Sequence, residues 1–332
     1  MNIIKAGYEQ YIPGNESYDG VLKHIERCGR VCYKSESKIR AISAERFVSA
    51  IINRGHTSVL EHGNLIFNCN LEAYNLWYLI ATQMRREDTP CHLRFTPRNA
   101  PFNTDKNLIS GNVRAWRDTI SYAKRNPDYR FPMQITFLLR TFGILFEDLL
   151  DENSSCIATR KCWDNCMCQM HSEELTPEER YIHCTLTFKF TVDRGISHEM
   201  VRHRKLSPSQ ESTRYCNYSS DQFGGNITVI EPCYLKPGTP PYRIWEKSCK
   251  FSETAYFDLL DCGCTPQEAR GVLPTALKTE VVLTATFKEW HHFLLLRTPH
   301  GVHPQMREVA LPLLAEMQEK YPEYYNDIPS RN

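Results

Sequence analysis

Ile182-His183-Cys184-Thr185-Leu186-Thr187-Phe188-Lys189-Phe190-Thr191-Val192 places an apolar residue at every second position, with histidine, threonine or lysine between. Side chains on a strand alternate between faces, so this pattern predicts a β-strand over 182–192 with one buried and one wetter face. Gly195 ends it, and Ile196 to Val201 reads as a short helix that delivers Arg202, His203 and Arg204 at its far end. Successive helical residues point about 100° apart. The three cations therefore address two ligands on different sides of the turn rather than one.

Outward from that strand, the segment Arg202-His203-Arg204-Lys205-Leu206-Ser207-Pro208-Ser209-Gln210-Glu211-Ser212-Thr213-Arg214 sets arginines, a lysine, a histidine and hydroxyls against a single carboxylate. Guanidinium keeps its charge at every accessible pH and presents planar, forked donors, which suit phosphate oxygens better than a protein core. A solvated basic loop is the plain alternative. The formal net charge of +1 across 332 residues gives no whole-chain attraction to nucleic acid or membrane, so the patch acts locally on a small anion.

The remaining pattern predicts an α+β chain, an antiparallel or mixed sheet flanked by helices. Helices are expected over 16–30 and 43–54, the latter stopped at Gly55, and a strand at Leu65-Ile66-Phe67. Residues of about 70–180 read as an insertion of mainly helical character in a single domain, with helices at Tyr74–Met84, Val113–Ala123 and Ile135–Leu150. Thr265-Pro266-Gln267-Glu268 is a helix start: threonine cap, proline first, glutamate three residues on. Arg270 lies in that helix, which Pro274 interrupts. Arg297 directly follows Leu294-Leu295-Leu296, so it is expected to be partly buried and to need an acceptor. The last helix, Gln305 to Lys320, is amphipathic.

The N-terminus lacks a charged region followed by an apolar run, and no segment approaches the roughly 18 apolar residues of a membrane span; a cytoplasmic protein is expected. The fourteen cysteines then read as mostly reduced thiols. Cys156, Cys162, Cys166, Cys168 and His171 lack the paired C-x2-C spacing of structural zinc sites, so no metal is assigned. His24 and His183 read as satisfied surface or sheet residues rather than ligands.

Arg202-His203-Arg204, then seven residues, then Ser212, completed by Arg214-Tyr215, resembles the signature motif of the flavin-dependent thymidylate synthases, the ThyX family. Blocks in the same order stand at Arg30-Val31-Cys32-Tyr33, His56 to His62, Asp193 to Tyr218, Gln267 to Pro274, Trp290 to Arg297 and His303 to Arg307. The resemblance implies a ThyX-like fold and a homotetramer with active sites at subunit interfaces. It also implies conversion of dUMP to dTMP with 5,10-methylenetetrahydrofolate as carbon donor and FAD reduced by NADPH, without a cysteine nucleophile. Position by position, it implies dUMP contacts at Glu199, Arg202, Gln210, Glu211, Ser212, Thr213, Arg214, Arg270 and Arg297, with Arg297 polarising the uracil. Flavin contacts are implied at His56, Ser58, Glu61, Arg202, His203, Arg204, Gln210, Lys288 and His292.

One departure stands out. Where the family often has an asparagine-x-arginine pair, this chain has Thr286-Phe287-Lys288, while Ser110-Gly111-Asn112-Val113-Arg114-Ala115-Trp116 echoes both that pair and the segment from Thr284 to His291. Asn112 and Arg114 are thus candidates to supply or support flavin contacts; an ordinary helix start is the plain alternative. Two other function classes compete. A nucleotide- or RNA-binding module using the Arg202–Arg214 loop predicts a basic balance that the chain lacks. A zinc hydrolase built on the cysteines leaves the arginines without a task.

Overall fold

The computed structural model describes residues 1–13, 16–96, 106–125, 141–149 and 167–329. They divide into two compact units: Met1–Tyr11, Cys28–Ser37 and Leu186–Asn332 in the first, Ile12–Arg27 and Lys38–Thr185 in the second. Strands are β1 (Asn2–Ile4), β2 (Gly7–Gln10), β3 (Asn64–Cys69), β4 (Arg94–Phe95), β5 (Asn107–Asn112), β6 (Met167–Gln169), β7 (Thr185–Asp193), β8 (Ser207–Gln210), β9 (Thr228–Ile230) and β10 (Lys278–Thr286). Helices are α1 (Tyr18–Arg30), α2 (Ser43–Asn53), α3 (Leu71–Arg86), α4 (Val113–Arg125), α5 (Pro177–His183) and α6 (Arg194–Met200). They continue with α7 (Pro240–Asp261), α8 (Pro266–Ala269), α9 (Phe287–Arg297), α10 (Pro304–Lys320) and α11 (Pro322–Tyr325).

The first unit is built on a four-stranded sheet of order β2-β7-β10-β8, with β1 and β9 forming a separate parallel pair. On β7, Phe188, Phe190 and Val192 are buried as the alternation predicts. Thr187 is buried too, because its Oγ1 shares a 2.7 Å hydrogen bond with Thr284 Oγ1 on β10. β10 is buried on both faces from Val281 onward and runs without a loop into α9. Thr286 makes that turn: its hydroxyl accepts the Glu289 N–H at 3.2 Å, filling one of the donors that every helix start leaves open. Trp290 then packs against Phe188, and its indole N–H donates to the Leu186 carbonyl at 3.0 Å.

The strand expected over 182–192 starts later than its alternation suggests. Ile182 and His183 end α5, which Thr176 caps with a reciprocal box to Glu179. Period two continues through 182–184 by coincidence; the cap decides the local structure.

The second unit carries a four-stranded sheet of order β4-β5-β3-β6. The stretch expected to be a mainly helical insertion therefore contributes β4, β5 and β6 as well as α3, α4 and α5, and shares its sheet with β3. Its core centres on Phe67, Trp77, Trp116 and Phe142, whose rings meet edge to face at 5.2–5.9 Å. Of the helix expected at Ile135–Leu150, residues 135–140 and Leu150 lie outside the described residues, and 3-10 turns occupy Gly143–Leu145 and Glu147–Leu149.

Candidate active site

In the first unit, β7 ends at Asp193, whose carboxylate accepts the Ile196 N–H at 2.7 Å and starts α6. Two turns later the helix releases the chain at Val201, leaving Arg202 and Arg204 exposed and His203 half-buried. The three side chains part as helical geometry requires. His203 turns toward α9, edge-on to Phe293 at 4.9 Å, and its Nε2 accepts the Arg297 Nε–H at 2.7 Å across 94 residues of sequence.

That bond fixes the protonation state. A ring nitrogen that accepts from guanidinium carries no proton, so His203 is neutral with its proton on Nδ1. Burial first, then the charge on Arg297 and the neighbouring His292, holds its pKa down at about 4. Arg297 is anchored on its other side by Glu199, through Nη1 to Oε2 at 2.9 Å and Nη2 to the backbone carbonyl at 3.2 Å. The acceptor expected for an arginine after three leucines is thus supplied by α6.

The segment after α6 forms edge strand β8, antiparallel to β10. Gln210 Nε2 donates to Ser197 Oγ at 2.7 Å and to Thr279 Oγ1 at 3.2 Å, fixing its amide against α6 and β10. Glu211 is turned inward, 1% exposed, accepting from Lys278 Nζ at 2.7 Å and Tyr218 Oη at 3.3 Å. Its carboxylate anchors the loop and is committed to protein partners. Thr213 is buried, while Ser212 is half-exposed, its N–H bonded to the Cys32 carbonyl and its Oγ accepting the Arg214 N–H. Arg214 is exposed and lies 5.7 Å over the Tyr215 ring, which packs on Tyr33. The Arg30–Tyr33 block thereby meets the loop.

Arg270 is exposed at the end of α8, whose capping box forms as the sequence predicts. Lys288 and His292 are both exposed and lie one turn apart on α9. Beneath the loop, burial raises the Glu280 carboxyl but Lys278, Lys34 and Lys189 outweigh it, leaving a pKa of about 2 and a permanent charge. Sequence reading missed that group, on β10, and Arg194, the first residue of α6, whose Nη1 donates to the Glu211 carbonyl at 3.1 Å; a single charged residue carries no spacing signal.

His56, Ser58 and Glu61 stand in the second unit, at and within the 3-10 turn Thr57–His62. His56 and Ser58 are exposed; Glu61 pairs with Arg114 Nη1 at 2.7 Å. Asn112 Oδ1 accepts the Ala115 N–H at 2.7 Å, so its amide caps α4 as Thr286 caps α9. His24, His62 and His183 are buried in this unit; His183 bridges Ser110 Oγ and Thr96 Oγ1 at 2.8 and 3.1 Å, where a surface or strand position was expected. Cys168 and His171 are described, whereas Cys156, Cys162 and Cys166 lie outside the described residues. Among the described residues no cluster of three or more metal-ligating side chains occurs, and no helix is long and apolar enough to cross a membrane.

The family described as thymidylate synthase complementing protein matches residues 150–323. The flavin-dependent thymidylate synthase of Pyrococcus furiosus is 32% identical over 139 residues, covering 42% of this chain and 56% of that protein. That of Geobacter sulfurreducens is 30% identical over 146 residues, covering 44% and 61%. A UMP/dUMP methylase, PolB, from Streptomyces cacaoi, solved with 5-Br dUMP, is 23% identical with a TM-score of 0.36 over 43% of this chain and 69% of that one, a likeness too slight to argue from. The chain thus spans little more than half the length of the first of these curated relatives. With the matched stretch running through β7, α6, the Arg202–Arg214 loop, β10 and α9, the chain belongs to the thymidylate synthase complementing protein family.

Proposed function

We propose that this chain is a flavin-dependent thymidylate synthase, which methylates dUMP to dTMP with methylenetetrahydrofolate as carbon donor and NADPH as the source of electrons. The observation that carries this reading is the hydrogen-bonded set Glu199–Arg297–His203, which holds one permanent cation rigid beside a neutral imidazole and next to the basic loop. Support also comes from the names of relatives at 30–32% identity.

Arg297 cannot give up its proton, so its contribution is electrostatic: a fixed guanidinium favours negative charge developing on a uracil ring. Glu199 is its positioning partner. Arg202, Ser212, Arg214 and Arg270, all exposed or half-exposed, are the groups for the phosphate and sugar, with Gln210, Glu211 and Thr213 shaping the loop. The cations Arg202, Arg204 and Lys288, with the imidazoles of His203 and His292, form a donor set that fits an anionic dinucleotide with a planar ring. His56, Ser58 and Glu61 belong to the same cofactor assignment. FAD, when bound, supplies the electron pair that turns a transferred methylene into a methyl group. The proposed assembly is a homotetramer.

A cysteine nucleophile is disfavoured by the thiols nearest the loop. Burial pushes Cys216 up to about 12, and burial likewise raises Cys32, so neither is a thiolate at neutral pH. The test is direct. Protein supplied with FAD, NADPH, methylenetetrahydrofolate and dUMP should form dTMP, with NADPH oxidation dependent on dUMP. Folded protein that binds neither FAD nor dUMP, and yields no dTMP, would refute the assignment.

A further inference from the structure

The two units share the central part of one chain path. In the second unit β3 leads through α3 to edge strand β4, then to β5 and directly into α4; in the first, β7 leads through α6 to edge strand β8, then, after an excursion through β9, α7 and α8, to β10 and directly into α9. The fourth strands differ in chain position, β6 following α4 and β2 preceding β7. The sheet orders superimpose: β4-β5-β3-β6 against β8-β10-β7-β2. Pairing senses agree where they compare. β4 and β8 are antiparallel to β5 and β10, and the fourth strands β6 and β2 are antiparallel to β3 and β7.

The junctions repeat as well. Asn70 and Asp193 each accept the N–H three residues on, at 2.8 and 2.7 Å, where the first strand enters its helix. Asn112 and Thr286 do the same, at 2.7 and 3.2 Å, where the later strand enters its own. Counted from those second caps, Val113, Trp116, Thr119 and Ile120 are buried on α4, and Phe287, Trp290, Phe293 and Leu294 occupy the same four steps on α9. A common sheet order arises by chance often enough. A common order with matching caps, matching buried steps and a tryptophan in register points to duplication.

What the copies do not share is the anion-binding equipment. Where α6 releases Arg202-His203-Arg204-Lys205, α3 ends in Arg85-Arg86 followed by Glu87-Asp88, and Arg85 donates to the Leu93 carbonyl at 3.4 Å. The step that carries Arg297 on α9 carries Ala123 on α4, buried at 1%. Arg94 on β4 is spent inside the unit, on Ser110 and Asn64. The stretch 97–105 that follows β4 is Pro-Arg-Asn-Ala-Pro-Phe-Asn-Thr-Asp in sequence, without the serines of 207–214. Conversely, His56-Thr57-Ser58-Val59-Leu60-Glu61-His62 precedes β3, whereas the residues before β7, Pro177 to His183, keep only the final histidine. The family match, over 150–323, runs from β7 to α10 of the first unit and takes in, of the second unit's described strands and helices, β6 and α5 alone.

We infer that the second unit is a duplicate of the nucleotide-binding unit that has given up nucleotide binding and kept the His56–Glu61 block, so that each chain holds two copies of the fold and one dUMP. This rests on the function proposed above and deepens it. Two full copies would bind two nucleotides per chain.

Native mass spectrometry of the full-length protein, titrated with dUMP, counts nucleotides per chain whatever the oligomer. One dUMP per chain at saturation, unchanged in count and affinity in the double variant Arg85→Ala/Arg86→Ala, is the expected result. Two per chain, or loss of one adduct in that variant, overturns the inference and leaves the proposed function standing. No dUMP bound by folded protein overturns both.

Discussion

Lowering the pH from 7.5 to 5.5 should loosen the second unit selectively. His24, His62 and His183 are 7%, 1% and 0% exposed, and burial holds their pKa values at about 4, 3 and 3. In the unfolded chain each returns to about 6.5. Between those values the unfolded state binds protons that the folded state refuses, so stability falls as pH falls, from about 6.5 down to the folded pKa. At pH 5.5, one unit below the unfolded pKa, each histidine costs about 1.4 kcal/mol, and the three together cost about 4 kcal/mol. Typical domains have about 5–15 kcal/mol to lose, so the effect is large. Hydrogen exchange followed by mass spectrometry, corrected for the intrinsic pH dependence of exchange, reports each unit separately. His203 in the first unit, also held at about 4, imposes one such loss there, so peptides over Leu65–Phe67 and Leu108–Ser110 should lose roughly a hundredfold in protection relative to Val281–Ala285. If β3 and β5 lose no more than β10, the histidines are not held neutral by the fold and the reasoning fails.

Replacing Arg297 with lysine keeps a charge but cannot reach Glu199 and His203 together, since the guanidinium uses Nε and both terminal nitrogens. The expected result is a loss of about 10²-fold or more in kcat/KM for dUMP, with the His203 titration, followed by NMR, rising only slightly from about 4 because burial and the retained charge still hold it down. An unchanged kcat/KM would show that the fixed guanidinium is not what the reaction uses. Glu211→Gln takes the 2.7 Å partner from Lys278 beneath the loop and leaves it Glu280 at 3.2 Å. Because that second pair remains, the cost should fall below the about 3–5 kcal/mol of leaving a buried charge unpaired; the melting temperature should still drop, and adding Lys278→Met should recover part of it, whereas equal melting of wild type and Glu211→Gln would discount the anchor.

The parts of the fold that the sequence announces are those with a local physical cause. The Thr265 capping box, the Phe188–Val192 alternation and the release of Arg202–Arg204 from a short helix all follow from neighbouring residues. Thr176-Pro177-Glu178-Glu179 carries the same capping signal as Thr265-Pro266-Gln267-Glu268, and weighing it would have moved the start of β7 from Ile182 to Thr185. The sheet character of the second unit is less legible. β4 and β6 have only two and three residues, too few for a period, and they exist because β5 and β3 offer them edges. The site divides in the same way. The arginines were visible as a cluster, but the choice of Arg297 for His203 and Glu199 spans more than 90 residues and is made by packing α9 beside α6.

That packing explains why the three consecutive basic residues are not equivalent. Arg202 and Arg204 remain exposed, with charges available to an incoming anion, whereas His203 sits between them half-buried and uncharged. A third cation there would face Arg297 across 2.7 Å, the separation at which His203 now accepts its hydrogen bond. At such a distance like charges cost several kcal/mol even at an effective dielectric of about 20. Histidine is the side chain that resolves the conflict: it can surrender its charge near neutral pH, accept from Arg297 at one nitrogen and still donate from the other. Lysine or arginine at 203 would push Arg297 off Glu199 and away from the loop. The alternation of permanent and surrendered charge is therefore a condition for keeping Arg297 fixed, and a rigid cation beside the loop is what the proposed chemistry requires.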